Sequence, residues 1–349
     1  VKRLLFVGTY STRGSRGLYA CEADSETGAL APLAEPLLAE PAVNPSFLAC
    51  RNGWLYASGE MGDAASPRTG GVAAFRIRGR NGALERAGSV PCGKGAPCHV
   101  LVFDGGRRLA AAQYTAGELH IIALHPDGSL KGVERIFRNE GSGPMKSRQE
   151  GPHVHSACAS PDGRTLFSPD LGTDRVNAYR IEPAALVPIE PLICPPGSGP
   201  RHMTLSADGR FLWVAGELDS MVTGFRKEGD AYKQFGHWPL LPPDFTGESW
   251  AAEIRLHPNG RWLYATNRGL DDVVSMDVRA DGTPRITGRA RTGAWPRGMI
   301  LSPDGRFAYV GAQHADRIDV YAIDPVTGVP VKCGGLDGIP SPVGFAFAE

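Results

Sequence analysis

The chain has 349 residues, of which 45 are glycine and 29 proline, and its 37 basic and 37 acidic side chains balance to zero net charge. That turn-residue density disfavours long helices, and the balanced charge leaves no overall field to draw nucleic acid or an anionic membrane. No apolar run approaches the roughly 18 residues of a spanning helix, and the seven scattered cysteines lack a Cys-x-x-Cys pair, which disfavours a disulfide framework and a zinc site.

In chain order, the same short apolar run recurs seven times, each run ending on polar residues. The runs are LLFVGTY (4–10), WLYASGE (54–60), RLAAAQY (108–114), TLFSPDL (165–171), FLWVAGEL (211–218), WLYATNR (262–268) and FAYVGAQ (307–313). Leu5, Leu55, Leu109, Leu166, Leu212, Leu263 and Ala308 mark steps of 45 to 57 residues. Such a period belongs to a propeller or a solenoid. Six of the runs follow a tight-turn signal such as Asn52-Gly53, Asp162-Gly163 or Asp304-Gly305, itself preceded by another short apolar strand. Asn-Gly and Asp-Gly between apolar runs predict hairpins, because the turn requires positive φ. A third strand follows each run (GVAAFRI, RVNAYRI and RIDVYAI among them), and a second turn leads to a fourth.

Four antiparallel strands repeated seven times predict an all-β, seven-bladed β-propeller occupying residues 1–349 as one domain. The chain opens on what reads as the second strand of a blade and ends on SPVGFAFAE (341–349), which reads as the missing first strand. The C-terminal strand is therefore expected to complete the N-terminal blade and close the ring without a free edge.

This topology assigns a site before any comparison. Residues just before the first strand and just after the second of each blade share one face. The first column is Asn44, His99, His155, Arg201 with His202, Glu253 and Arg297, and the second is Tyr10, Glu60, Tyr114, Asp170, Glu217, Arg268 and Gln313. Polar groups ringing the mouth of a channel make a candidate ligand site, although pairing between blades would use the same residue types.

The segments GTYS (8–11), RQEGPHVHSACASPDGR (148–164), GPRHM (199–203), GELDS (216–220), WAAEIRLHPNGRWLYATNRG (250–269) and PRGMILSPDGRF (296–307) resemble the lactonase family of seven-bladed propellers. This family includes bacterial propeller-type 6-phosphogluconolactonases and, more distantly, fungal carboxy-muconate lactonizing enzymes. The resemblance runs from about residue 4 to 348. It implies that His155, Arg201, Glu217 and Arg268 are catalytic positions, and that Arg148, Gln149, Arg297 and Gln313 contact substrate. His153, Tyr114 and Glu60 complete the expected binding set. Gly216 and Ala312 stand where the family often has asparagine, which puts the phosphorylated substrate in question.

The expected chemistry is lactone hydrolysis without metal or other cofactor. His155 is the favoured base, with Glu217 orienting it or acting as the base itself, and Arg201 and Arg268 serve the oxyanion and an anionic substrate. A weaker reading makes His153, His155 and Glu150 metal ligands, with both rings on one side of a strand. Two rivals to the hydrolase remain: a muconate-type lactonizing cycloisomerase and a propeller that binds a metabolite or protein without catalysis. Partners are expected to be a small, anionic lactone, with no nucleic acid or membrane, and the oligomeric state stays open. Cytoplasmic residence is expected, a processed signal peptide being the alternative.

Overall fold

Seven four-stranded antiparallel sheets follow one another around a ring in the computed structural model, which describes residues 1–11, 13–33, 37–38, 44–61, 70–79, 81–93 and 95–349. Blade 1 pairs Pro342–Phe347 with Lys2–Thr9, followed by Gly17–Asp24 and Leu30–Pro32, with Leu37–Leu38 also bound to its third strand. Leu5 lies opposite Phe347 and Val7 opposite Phe345, so the expected closure of the N-terminal blade by the C-terminal strand is observed. Blade 2 runs from Leu48 to Pro91, blade 3 from Pro97 to Arg138, blade 4 from Cys158 to Ile193, blade 5 from Pro200 to Pro239, blade 6 from Trp250 to Arg291 and blade 7 from Pro296 to Asp337. Among the described residues, the only helical element is the short 3-10 turn Asp104–Gly106.

The first turn of several blades is written in its side chains. In blades 4, 5 and 7 the sequence Ser-x-Asp-Gly-Arg closes it: Ser160, Ser206 and Ser302 donate to Asp162, Asp208 and Asp304 at 2.5 to 2.6 Å. The same serine oxygens accept the backbone N–H groups of Thr165, Phe211 and Phe307, all at 2.9 Å. Gly163, Gly209 and Gly305 sit at φ 68°, 68° and 75°, the left-handed geometry that this turn demands.

Hydrophobic burial is distributed over seven seams rather than one centre. Phe167 and Val176 of blade 4 pack on Met203 and Leu212 of blade 5, and equivalent clusters join each of the other neighbouring pairs, including blades 7 and 1. Second-strand aromatics tie the seams as well. The Trp213 indole donates to Gly282 O at 3.0 Å in the next blade, and the Tyr264 hydroxyl donates to Gly328 O at 2.8 Å. Neighbouring first strands approach too closely for a side chain at some glycine positions. A Cβ on Gly298 would stand 2.0 Å from Val343 O, and one on Gly344 2.4 Å from Ser46 O.

Blade 4 departs from the expected pattern. Its first strand is only Cys158–Ala159, and the segment before it touches the sheet through the single bridge of Val154 to Asp170. The expectation that His153 and His155 alternate along a strand is therefore corrected, since Pro152 and the long preceding loop lead the chain into the blade outside the ladder.

Candidate active site

A recurring backbone device sets the mouth of the channel. In five blades a residue in the left-handed region precedes a proline that opens the first strand or, in blade 2, stands just before it: Asn44-Pro45, Ala96-Pro97, Gly199-Pro200, Trp295-Pro296 and Ser341-Pro342. The carbonyls of these residues accept the backbone N–H groups of Glu60, Tyr114, Glu217, Gln313 and Tyr10, at 2.8 to 3.2 Å. The end of each second strand is thus pinned to the start of the first, so both polar columns meet at one rim.

They surround a cavity of about 460 Å³. Tyr10, Glu60, Tyr114, His155, Glu217, Arg268 and Arg297 line it as the columns predict, with Arg148 reaching in from the loop before blade 4. Cys98, Trp250 and Trp295 also line it and were not anticipated. Beneath it a space of about 10 Å³, room for roughly one water molecule, is walled by Arg201, His202 and Glu253 among others.

Glu217 is the electrostatic centre. Its Oε2 accepts from Arg201 Nε at 2.9 Å and lies 2.8 Å from Arg268 Nη2, while its Oε1 accepts from Arg148 Nη2 at 2.5 Å. Glu217, Arg201 and Arg268 are all buried. Burial alone would raise the carboxyl, yet Arg268, Arg201 and the other positive neighbours hold it well below the usual carboxylate range. Burial pushes Arg268 down to about 10, and burial with nearby Arg297 also lowers Arg201. Both guanidiniums spend donors on backbone, Arg201 on Ala252 O at 2.6 Å and Arg268 on Ala251 O at 3.0 Å.

His155 stands beside this cluster with Nε2 4.0 Å from Glu217 Oε2. Its Nδ1 is 3.9 Å from Cys98 Sγ, and its ring meets Tyr114 and His202 edge-on at 5.5 and 5.4 Å between centroids. Burial, followed by the Arg201 charge, holds its imidazole well below the ordinary histidine value, so the ring is neutral. Burial likewise raises the Cys98 thiol, which stays protonated.

On the other side Tyr10 donates to Glu60 Oε2 at 2.8 Å, and Arg297 lies over the Tyr10 ring at 5.2 Å and 3.9 Å from Glu60 Oε1. Burial opposes the Arg297 charge, but Tyr10 and Glu60 hold its guanidinium above the usual arginine value.

Several expected contacts lie outside the cavity wall. Gln149 is buried, donating to Leu171 O and Asp174 Oδ1, both at 2.8 Å, and accepting from Met145 N at 3.1 Å, so it braces its own loop. His153 stacks on Tyr114 at 4.5 Å, with Nδ1 3.0 Å from Tyr114 O and Nε2 3.2 Å from Glu150. Gln313 joins the rim through its backbone, and Asp170 accepts from the backbone of His153 and Gly172. Among the described residues, no three His, Cys, Asp or Glu side chains form a metal-binding cluster.

The comparisons agree with this architecture. Residues 4–347 match the family described as Lactonase, 7-bladed beta-propeller. The chain belongs to the seven-bladed propeller lactonases. It is 30% identical to the 6-phosphogluconolactonase of Bacillus subtilis over 351 aligned positions, covering 99% of this chain and 98% of that one. Among solved structures, the periplasmic gluconolactonase of Pseudomonas aeruginosa superposes with TM-score 0.90 at 31% identity, covering 100% and 99% of the two chains. A protein of Lactobacillus plantarum gives 0.92 at 30% identity with full coverage of both. The lactonase expected from the sequence is thus an enzyme family the chain shares over nearly its whole length. Among the described residues, no helix is long and apolar enough to cross a membrane.

Proposed function

We propose that this chain hydrolyses a sugar-type lactone, 6-phosphogluconolactone or a close relative, without a metal ion, in the cavity at the channel mouth. The observation that carries the reading is the pairing of a neutral, buried His155 with an arginine cluster gathered on Glu217. Along the wall two carboxylates, Glu60 and Glu217, face three guanidiniums, Arg148, Arg268 and Arg297, while beneath it Arg201 and Glu253 add one charge of each sign. That cationic surplus suits an anionic substrate.

Of the two candidate bases, the geometry favours His155. Glu217 has its oxygens engaged by three arginines and its basicity suppressed, so its role is to hold those guanidiniums in place. With the His155 Nδ1 proton on the Cys98 side, Nε2 is the bare basic nitrogen. Water between Nε2 and the lactone carbonyl gives its proton to His155 as its oxygen bonds to carbon. The carbonyl oxygen becomes an oxyanion beside Arg268, and the ring oxygen leaves with the proton returned by His155, yielding the open acid. Both arginines are bonded to Glu217 and to backbone carbonyls, but Arg268 lines the cavity and Arg201 does not, so Arg201 supports the floor rather than the oxyanion. Arg297 and Arg148 are left for the anionic group.

Proton release measured with 6-phosphogluconolactone, unphosphorylated gluconolactone and a carboxylated muconolactone, before and after chelation, tests the reading. Chelator-resistant turnover of a sugar lactone, reduced at least about 100-fold by His155→Gln, is expected. Conversion of the muconolactone alone would favour the cycloisomerase, and no turnover of any would favour a binding propeller. Preference for the phosphorylated substrate goes with cytoplasmic residence, where sugars are phosphorylated. Preference for the unphosphorylated one goes with a periplasmic location.

A further inference from the structure

The cavity lining is uneven: Glu60 of blade 2, Arg148 from the loop before blade 4 and Glu217 of blade 5 are charged, whereas Trp250 and Trp295, at the starts of blades 6 and 7 beside Arg268 and Arg297, are two indoles, neither fully buried. Their centroids are 5.5 Å apart and their planes meet at 66°, forming an aromatic corner. Trp295 is backed by exposed His314, stacked at 4.9 Å and 16°, and the Arg268 guanidinium lies over its ring, 5.6 Å from the centroid.

The backbone makes Trp295 unusual. It occupies the left-handed position before proline, at φ 64°, that Asn44, Ala96, Gly199 and Ser341 fill in other blades. Those four are small or tolerate positive φ, whereas a bulky side chain there costs conformational energy. The backbone duty, a carbonyl that accepts the next strand's N–H, is performed by glycine or alanine equally well. The strained position therefore directs attention to the side chain, which meets the cavity as well as Trp250, His314 and Arg268.

We propose that Trp295, with Trp250, is the specificity-determining platform of the site, stacking against the C–H face of a six-membered sugar lactone while the charged groups of the lining take its hydroxyls and anionic group. This rests on the lactonase reading and names the substrate's shape: a saturated pyranose-type ring with one apolar face. The electron-rich indole face attracts the ring's polarised C–H bonds, and the ring-opened acid, having no such face, is released.

The test uses Trp295→Asn, which installs the residue that blade 2 places at this point and so suits the backbone, and Trp295→Phe, which keeps a ring. Binding is followed by titration calorimetry with a sugar lactam, the hydrolysis-resistant amide analogue of the lactone, and with gluconate, its ring-opened counterpart. The wild type is expected to show saturable binding of the lactam and little of gluconate. Trp295→Asn is expected to raise the lactam Kd and the lactone KM by roughly 3- to 10-fold, with kcat within about 2-fold, and Trp295→Phe to recover most of the loss. Lactam binding without any lactone hydrolysis would overturn the lactonase reading but leave the platform standing. Lactone turnover with unchanged KM and Kd in Trp295→Asn, or no lactam binding to the wild type, would overturn the platform.

Discussion

The imidazole Nε2 of His155 and the Oε2 of Glu217 stand 4.0 Å apart, with both side chains buried. That is too long for a direct hydrogen bond, so Glu217 does not orient the ring by contact. The gap is instead a place where an oxygen atom can be shared between a neutral base and a carboxylate that three guanidiniums hold ionised. In the mechanism proposed above, the arrangement separates two duties that the sequence left merged: His155 would move the proton, while Glu217 assembles the cations.

The pH dependence of kcat/KM follows from that division. A base must be deprotonated to act, and burial together with Arg201 depresses the His155 imidazole far below its ordinary value. The acid limb of the profile is therefore expected below pH 6.5, with a plateau through neutrality. A stopped-flow profile of the free enzyme checks it. An acid limb centred at or above pH 6.5 would remove His155 as the base.

Replacing Glu217 by Gln leaves Arg201 and Arg268 buried without their counter-charge. A broken buried ion pair costs about 3–5 kcal/mol, so Glu217→Gln is expected to unfold at markedly lower urea and to lose activity together with stability. Urea titration at pH 7 checks the first, and turnover at low temperature, where the variant is folded, checks the second. A variant as stable as wild type would mean that the three arginines are compensated elsewhere.

The blades were legible because they repeat the same local physics: a buried second strand, a polar rim and, in six of the seven, an Asp-Gly or Asn-Gly turn. Closure of blade 1 was legible from the missing first strand before Leu4. The site was legible in its polar half, since Tyr10, Glu60, Tyr114, His155, Glu217, Arg268 and Arg297 all reach the cavity. Trp250 and Trp295 escaped because the columns were collected for charge and polarity, although Trp295 sits directly before Pro296 in the place that Gly199 and Ala96 occupy elsewhere. Gln149 and His153 were expected against substrate, and no sequence rule reveals that their amide and ring nitrogens are taken by Leu171, Asp174 and Tyr114. Those partnerships depend on how a long loop folds back on blade 4.

Stability should fall on mild acidification. His99, His155 and His202 are all held well below the ordinary histidine value, burial being the largest cause in each. Their neutral folded forms contribute stability that is complete above about pH 6.5 and is lost as pH falls, because the unfolded chain takes up protons that the folded one refuses. Three such groups give a slope of up to about 4 kcal/mol per pH unit below pH 6.5. Among the described residues, His99 Nδ1 has no hydrogen-bond partner, and its ring lies 4.0 Å from that of Phe47. His99→Phe removes that unsatisfied nitrogen, so it is expected to be neutral or stabilising by about 1 kcal/mol at pH 7 and to flatten the slope by one proton. Urea midpoints from pH 7.5 to 5.0 check both, and an unchanged slope would show that His99 takes up its proton equally in the folded state.

Two arginines on the same carboxylate should respond differently to substitution. Arg268 is buried, and its guanidinium serves Trp250 O, Ala251 O and Glu217 at once, a fork that a lysine ammonium on a single stem does not reproduce. Arg268→Lys is expected to lower kcat about 100-fold, the loss typical of one oxyanion donor, with KM little changed. Arg148 comes from the loop before blade 4, and its side chain is 34% exposed. Its contact with Glu217 is consequently screened, and Arg148→Ala should cost no more than about 1 kcal/mol of stability. Its expected signature is a raised KM for a phosphorylated lactone with kcat nearly retained, and a smaller effect on an unphosphorylated one. Steady-state kinetics on both substrates separate the two residues. If Arg148→Ala lowered kcat as steeply as Arg268→Lys while KM stayed constant, the oxyanion donor would be the loop arginine, and the phosphate site would have to be sought at Arg297 alone.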